Sequence, residues 1–180
     1  DVTAGDRRIA KAVNYGLIYG QSDFGLAHAL DIPRKEAAEY KARYFERFPT
    51  IKKFMDDVIA EARQRGGSRT ILGRWRPIPD LKSKTVVARN QAQRIAQNTP
   101  MQGAGADLIK LAMLRTTERL AERELAAEMI LTVHDELVFE TTPELAETVG
   151  AVVKTEMENV YELDVPLDVD VGIAQSWADA

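Results

Sequence analysis

The 180-residue chain contains no cysteine, which excludes disulfides, thiolate zinc sites and cysteine nucleophiles. No apolar run approaches the roughly 20 residues that a bilayer crossing needs. Asp1-Val2-Thr3-Ala4-Gly5-Asp6 has neither the basic start nor the apolar middle of a signal peptide. Histidine occurs only twice, at His28 and His134. A hydroxyl or amine nucleophile paired with a base is not evident, and nothing matches a phosphate-binding glycine loop or a dinucleotide fingerprint. What is present, 45% hydrophobic and 29% charged residues, describes a globular chain long enough for one domain with a substantial core. The missing initiator Met and the abrupt start of the pattern predict a piece of something longer.

The formal net charge of −4 argues, taken whole, against a nucleic-acid partner. That average hides a division. Residues 1–102 hold 19 Lys+Arg against 11 Asp+Glu, a net of +8, whereas residues 103–180 hold 5 against 17, a net of −12. Between Arg63 and Arg94 lie nine basic residues and one acid, Asp80. That stretch is a candidate polyanion-binding surface, the alternative being a solvated helix face plus a basic loop.

Local patterns predict an α+β fold. Asp6 is read as the N-cap of a helix running from Arg7 toward Gly20. Pro33 opens a second helix to about Arg47, Pro49 interrupts it, and a further helical period from Ile51 ends at Gly66-Gly67. Residues 68–79 read as a short strand at Thr70-Ile71-Leu72 and, after a break at Gly73, a loop. Ser83 to Asn98 is helix-like, Pro100 to Gly105 is expected to break it, and a long amphipathic stretch follows. The period then becomes that of strands: Met129 to Val133 and Leu137 to Glu140 flank His134-Asp135-Glu136 as a tight hairpin. Pro143 opens a last helix to about Tyr161, and Val165 to Ile173 alternates like a final strand.

Two constellations carry chemistry. Arg7, Lys11, Tyr15 and Tyr19 recur every four residues, so two cations and two aromatics follow one slowly drifting helical stripe about 18 Å long. Cations one turn apart suit a polyphosphate, and an aromatic one turn further can stack on a sugar or base. Singly, each would be read as core or as solvated charge. At the hairpin, adjacent carboxylates held by rigid strands can bind a divalent cation through oxygen, while turn chemistry alone could also place Asp135 there.

The segment Arg7-Arg8-Ile9-Ala10-Lys11-Ala12-Val13-Asn14-Tyr15-Gly16-Leu17-Ile18-Tyr19-Gly20 resembles the nucleotide-binding fingers helix of family A DNA polymerases, the bacterial DNA polymerase I type. Val133-His134-Asp135-Glu136 resembles their palm metal-site motif. Gly73-Arg74-Trp75-Arg76 and Asn98-Thr99-Pro100-Met101-Gln102-Gly103 are similar to intervening family segments, so the resemblance covers essentially the whole chain.

The resemblance implies a mostly helical fingers segment over residues 1–80, with the nucleotide helix at about 6–20. A partial palm would follow over 81–180, with DNA-contacting helices and the metal-site hairpin at about 129–140. It implies that Arg7 and Lys11 contact the triphosphate of a deoxynucleoside triphosphate, Tyr15 its sugar, and Tyr19 the region of the templating base. Asp135 matches the aspartate that binds a catalytic Mg²⁺ pair, with Glu136 an accessory acid and His134 near the primer terminus. Arg94, Asn98 and Gln102 match residues on the primer–template DNA, and Arg74 and Arg76 lie in a segment approaching the duplex. The implied location is cytoplasmic, with no membrane partner.

Two departures from the family pattern matter. The family's second metal-binding aspartate lies upstream of the nucleotide helix and has no match here, so the upstream remainder of a polymerase chain is an implied partner and the piece alone is expected not to polymerise. Tyr15 stands where many bacterial members have Phe, which implies ready acceptance of dideoxynucleotides, with Tyr15→Phe restoring discrimination. The rival readings are a non-catalytic nucleic-acid-binding module using Arg63 to Arg94, and a metal-dependent phosphohydrolase using His134, Asp135 and Glu136. Neither explains the spaced stripe.

Overall fold

A computed structural model of the chain describes residues 2–179. The element order is α1 (Ala4–Ile18), α2 (Asp23–Leu30), α3 (Arg34–Arg47), α4 (Pro49–Arg65), β1 (Gly67–Arg69), β2 (Trp75–Pro77), α5 (Val86–Glu122), β3 (Ala127–Val133), β4 (Glu136–Thr141) and α6 (Ala146–Glu158). Mostly helical with two small antiparallel hairpins, it is the α+β arrangement expected. The chain divides into two compact units, residues 1–103 and 104–180, with α5 contributing to both.

The first unit has two apolar clusters. Leu17 of α1 packs with Leu26 and Ala27 of α2 and Ala37 of α3, while Ala62, Ile78 and Leu81 pack against Ala92 and Ala96 of α5. Residues 2–11, by contrast, are all exposed, so α1 is anchored by its C-terminal half. Its start also differs from expectation. Thr3, not Asp6, is the N-cap, and Asp6 occupies the third helical position of a capping box. The Thr3 Oγ1 accepts from the Asp6 amide at 3.1 Å and the Asp6 carboxylate accepts from the Thr3 amide at 2.9 Å, so both residues gain a partner when the helix begins earlier.

Hydrogen bonds from the Thr3 side chain and backbone hold the Asp6 carboxyl below its ordinary value. A carboxylate depressed in the folded state adds stability that is present above its unfolded pKa and lost as pH falls through the folded one. We therefore expect the first turn of α1 to fray on acidification below about pH 4, and Thr3→Ala to flatten that dependence. Amide exchange of the first turn across pH 5 to 2 checks it; an unchanged acid profile in the variant would refute it.

Helix α2 was not anticipated, although Ser22 supplies its cap by accepting from the Gly25 amide at 3.2 Å. The breaks at Pro49 and Gly66 are as expected: Pro49 is the first residue of α4, and Gly66 closes it with φ 82°. Thr70–Leu72, read as a strand, lie in the turn instead, and Trp75–Pro77, read as loop, pair antiparallel with Gly67–Arg69, because the Gly73 amide closes the turn on the Thr70 carbonyl.

The expected break at Pro100 does not occur, since α5 runs through it. The proline removes one rung of a 37-residue ladder, and packing on either side outweighs that loss. Ala96 and Thr99 are buried just before it, and the Thr99 hydroxyl donates to the Ile95 carbonyl at 2.7 Å. Gly103 is tolerated within the helix because Thr70 lies against it: a Cβ there would fall 2.4 Å from Thr70 Cγ2.

In the second unit β3 and β4 form the expected hairpin, with a register irregularity between Met129 and Leu131 and a His134–Asp135 turn. Leu120 of α5 packs with Val149, Val152 and Val153 of α6. The last helix is shorter than expected, ending at Glu158. The final strand is absent: residues 161–175 are irregular. Alternation marks two faces but a strand also needs a neighbour for its backbone, and here α6 side chains take that place. Lys154 Nζ donates to the Val169 carbonyl at 2.6 Å, and Glu158 Oε1 accepts from the Val169 amide at 3.2 Å. Among the described residues no helix is long and apolar enough to cross a membrane.

Candidate nucleic-acid interface

The first unit holds nine of the twelve residues singled out above. Arg7, Lys11, Tyr15 and Tyr19 all sit exposed on α1. The Tyr15 and Tyr19 rings stack with centroids 6.3 Å apart and planes 20° from parallel, and Lys11 Nζ lies 5.9 Å from the Tyr15 centroid. Fourfold spacing therefore produces a continuous surface of charge followed by aromatic area. Among the described residues neither Arg7 nor Lys11 forms an ion pair, so both cations stay available for an anion from outside.

Helix α5 supplies the second row. Arg94, Asn98 and Gln102, four residues apart, line a cleft of about 400 Å³ together with Gln91, Ile95 and Arg76 from β2. Four residues chosen from sequence thus converge on one cavity. Arg94 Nη2 donates to Gln91 Oε1 at 2.6 Å, and Asn98 Oδ1 is buried without a hydrogen-bond partner. Arg74, on the loop between β1 and β2, donates to the Gly103 carbonyl at 3.5 Å. On the same hairpin Arg69 lies 5.6 Å from the Trp75 ring. Cations and amides in an open cleft suit a phosphodiester chain and base edges.

The two rows meet at the end of α1. Asn98 Nδ2 donates to the Tyr19 carbonyl at 3.5 Å, and Gln97 Nε2 donates to the Ile18 carbonyl at 2.7 Å. Gln97 was not singled out from sequence; one amide in a helix carries no signal of what it reaches 79 positions away.

In the second unit His134, Asp135 and Glu136 are exposed at the tip of the β3–β4 hairpin. His134 has φ 56°, so the turn is made by a residue in the left-handed region and Asp135 follows it outward. Two adjacent carboxylates provide the hard oxygen donors that Mg²⁺ prefers. Among the described residues no group of three His, Cys, Asp or Glu could hold a metal ion, so the tip by itself offers two carboxylates and not a metal site.

Known proteins resemble the chain over its whole length. The family model described as DNA polymerase family A matches residues 1–179. DNA polymerase I of Geobacillus stearothermophilus is 48% identical over 180 residues, covering 100% of this chain and 20% of that protein. The Bacillus subtilis (strain 168) DNA polymerase I is 46% identical with the same coverage. Among solved structures, the POL domain of Pol1 from M. smegmatis, in complex with DNA primer-template and dNTP, superposes with a TM-score of 0.94 at 41% identity, over 100% of this chain and 32% of that one. The chain spans about a fifth of the length of the curated relatives it matches. It belongs to DNA polymerase family A.

Proposed function

We propose that this chain is the nucleotide- and DNA-gripping part of a template-directed DNA polymerase that adds deoxynucleoside triphosphates to a primer 3′ end. The observation that carries the reading is the junction of the α1 stripe with the α5 row, where the Tyr19 carbonyl meets the Asn98 amide. Residues 1–80 would act as fingers and residues 81–180 as part of the palm.

The family resemblance implies a role for each residue, and the chemistry of each side chain suits that role. Arg7 and Lys11 neutralise the triphosphate, including charge that grows on it in the transition state. Tyr15 and Tyr19 offer stacked faces to the sugar and to the templating position. Arg76, Arg94, Asn98 and Gln102 hold the strands in the cleft, with Arg74 beside them and His134 near the primer end. Asp135, supported by Glu136, contributes oxygen ligands to a Mg²⁺ pair. When bound, such ions activate the primer hydroxyl and stabilise the pyrophosphate leaving group. Base choice comes from template pairing.

The 180-residue chain alone should not extend a primer, because its hairpin carries too few ligands for the metal pair. The test is primer extension with Mg²⁺ and all four nucleotides, comparing the isolated chain with a complete polymerase that contains it. Extension by the isolated chain would overturn the assignment of a missing ligand, and inactivity of both would overturn the polymerase reading.

A further inference from the structure

We infer that Gln97 is a positioning residue that sets how α1 presents its stripe to the α5 row. This rests on the polymerase reading and adds to it a device that couples nucleotide binding to the DNA-holding helix. The last four carbonyls of a helix have no partner within it. In α1 these belong to Tyr15, Gly16, Leu17 and Ile18. Three are met by the following backbone: the Tyr19 amide donates to Tyr15, the Gln21 amide to Gly16 at 2.8 Å, and the Gly20 amide to Leu17. The fourth, Ile18, receives its bond from Gln97 Nε2 at 2.7 Å. A side chain on α5 therefore completes the C-terminal cap of the helix that bears Arg7, Lys11, Tyr15 and Tyr19.

Three features make this contact a locating one. Gln97 is 4% exposed, so water cannot readily replace its amide at the Ile18 carbonyl. Gly20, at φ 76°, packs against it: a Cβ there would fall 3.1 Å from Gln97 Oε1 and 3.3 Å from Arg94 Cγ, leaving little room between the turn and α5. Finally, Asn98 follows Gln97 about 100° around the helix, lines the cleft with Arg94 and Gln102, and bonds the Tyr19 carbonyl. Successive amides on one helix thus hold successive carbonyls of the other, and since residues 2–11 are exposed, the C-terminal half of α1 must fix the direction of the free half.

Without the Gln97 donor the end of α1 samples other directions, and the apparent affinity for nucleotide falls in proportion to the fraction still aligned. For Gln97→Met, which keeps length and removes the donor, the KM for the correct deoxynucleoside triphosphate should rise about tenfold, as the loss of a buried carbonyl's partner implies. The affinity for primer–template DNA should stay within about twofold, since the cleft residues are untouched.

The measurement is single-nucleotide incorporation by the complete polymerase carrying this segment, with DNA affinity read separately by fluorescence anisotropy. Lys11→Ala is run alongside. A raised KM with unchanged DNA affinity supports the inference. An unchanged KM, or a loss shared equally with DNA binding, overturns it while leaving the polymerase reading intact if Lys11→Ala is impaired. If Lys11→Ala is also unimpaired, the underlying reading fails. Should Gln97→Met yield no folded enzyme, Gln97→Leu, which also removes the donor, is judged by the same two outcomes.

Discussion

Asp135→Asn, in a complete polymerase carrying this segment, is expected to lower kcat by roughly a thousandfold, the several kcal/mol that a lost metal ligand withdraws from the transition state. The substitution suits the position. Asp135 is exposed in a two-residue turn, and asparagine serves turns as well as aspartate does, so the hairpin should form unchanged. Primer–template affinity and thermal midpoint should therefore match the parent. Glu136→Gln, altering a strand residue beside the turn, should cost less. Burst-phase incorporation with Mg²⁺ decides the matter: a kcat within tenfold of the parent would remove Asp135 from the metal site. A phosphohydrolase built on the same tip would instead lose phosphate release from substrates without any primer, which provides the contrast.

The second large effect is at Lys11. Removing an unpaired cation that meets a triphosphate forfeits charge-assisted hydrogen bonds of a few kcal/mol, so Lys11→Ala should reduce kcat/KM for nucleotide incorporation by about a hundredfold. Affinity for duplex DNA should barely change, because the cleft formed by Arg76, Arg94, Asn98 and Gln102 does not include Lys11. A module that merely binds nucleic acid through its basic stretch predicts the reverse pattern, with salt-sensitive binding weakened by changes at Arg76 or Arg94 and indifference at Lys11. Single-turnover incorporation at several nucleotide concentrations, alongside binding titrations at two salt concentrations, separates the two. A Lys11→Ala enzyme with parental kcat/KM would discard the role given to α1.

The compact units part between Gly103 and Ala104, not near residue 80 where the resemblance implies a fingers–palm boundary. The net charge differs on the two sides of that parting, +8 over residues 1–102 and −12 over residues 103–180. Polyanion contacts favour one sign of charge and a cation site the other, so composition follows the different ligands proposed for the two units. The stripe on α1 was legible for a simpler reason: residues four apart on a helix are neighbours whatever else the chain does, and the stacked tyrosines follow from that spacing. The β3–β4 hairpin was legible because apolar strand formers flank a short polar turn.

The misreadings share another cause. Pro100 punctuates a local pattern, but buried Ala96 and Thr99, and Gly103 seated against Thr70, keep α5 continuous. Val165 to Ile173 alternates as strands do, yet its backbone is bonded by Lys154 and Glu158. Asp6 is a good capping residue that was outcompeted by a Thr3 able to share the cap with it. Helix periodicity, turn chemistry and charge act over a few residues, and from them alone came the α+β class, the cation–aromatic stripe of α1 and the acidic hairpin tip. The continuity of α5, the fate of the last segment, the cleft joining Arg76 to Arg94 and the Gln97 contact with Ile18 depend on groups distant in sequence. Those pairings form because buried polar groups must find partners and apolar surfaces must find cover, and only the folded chain establishes which ones they find.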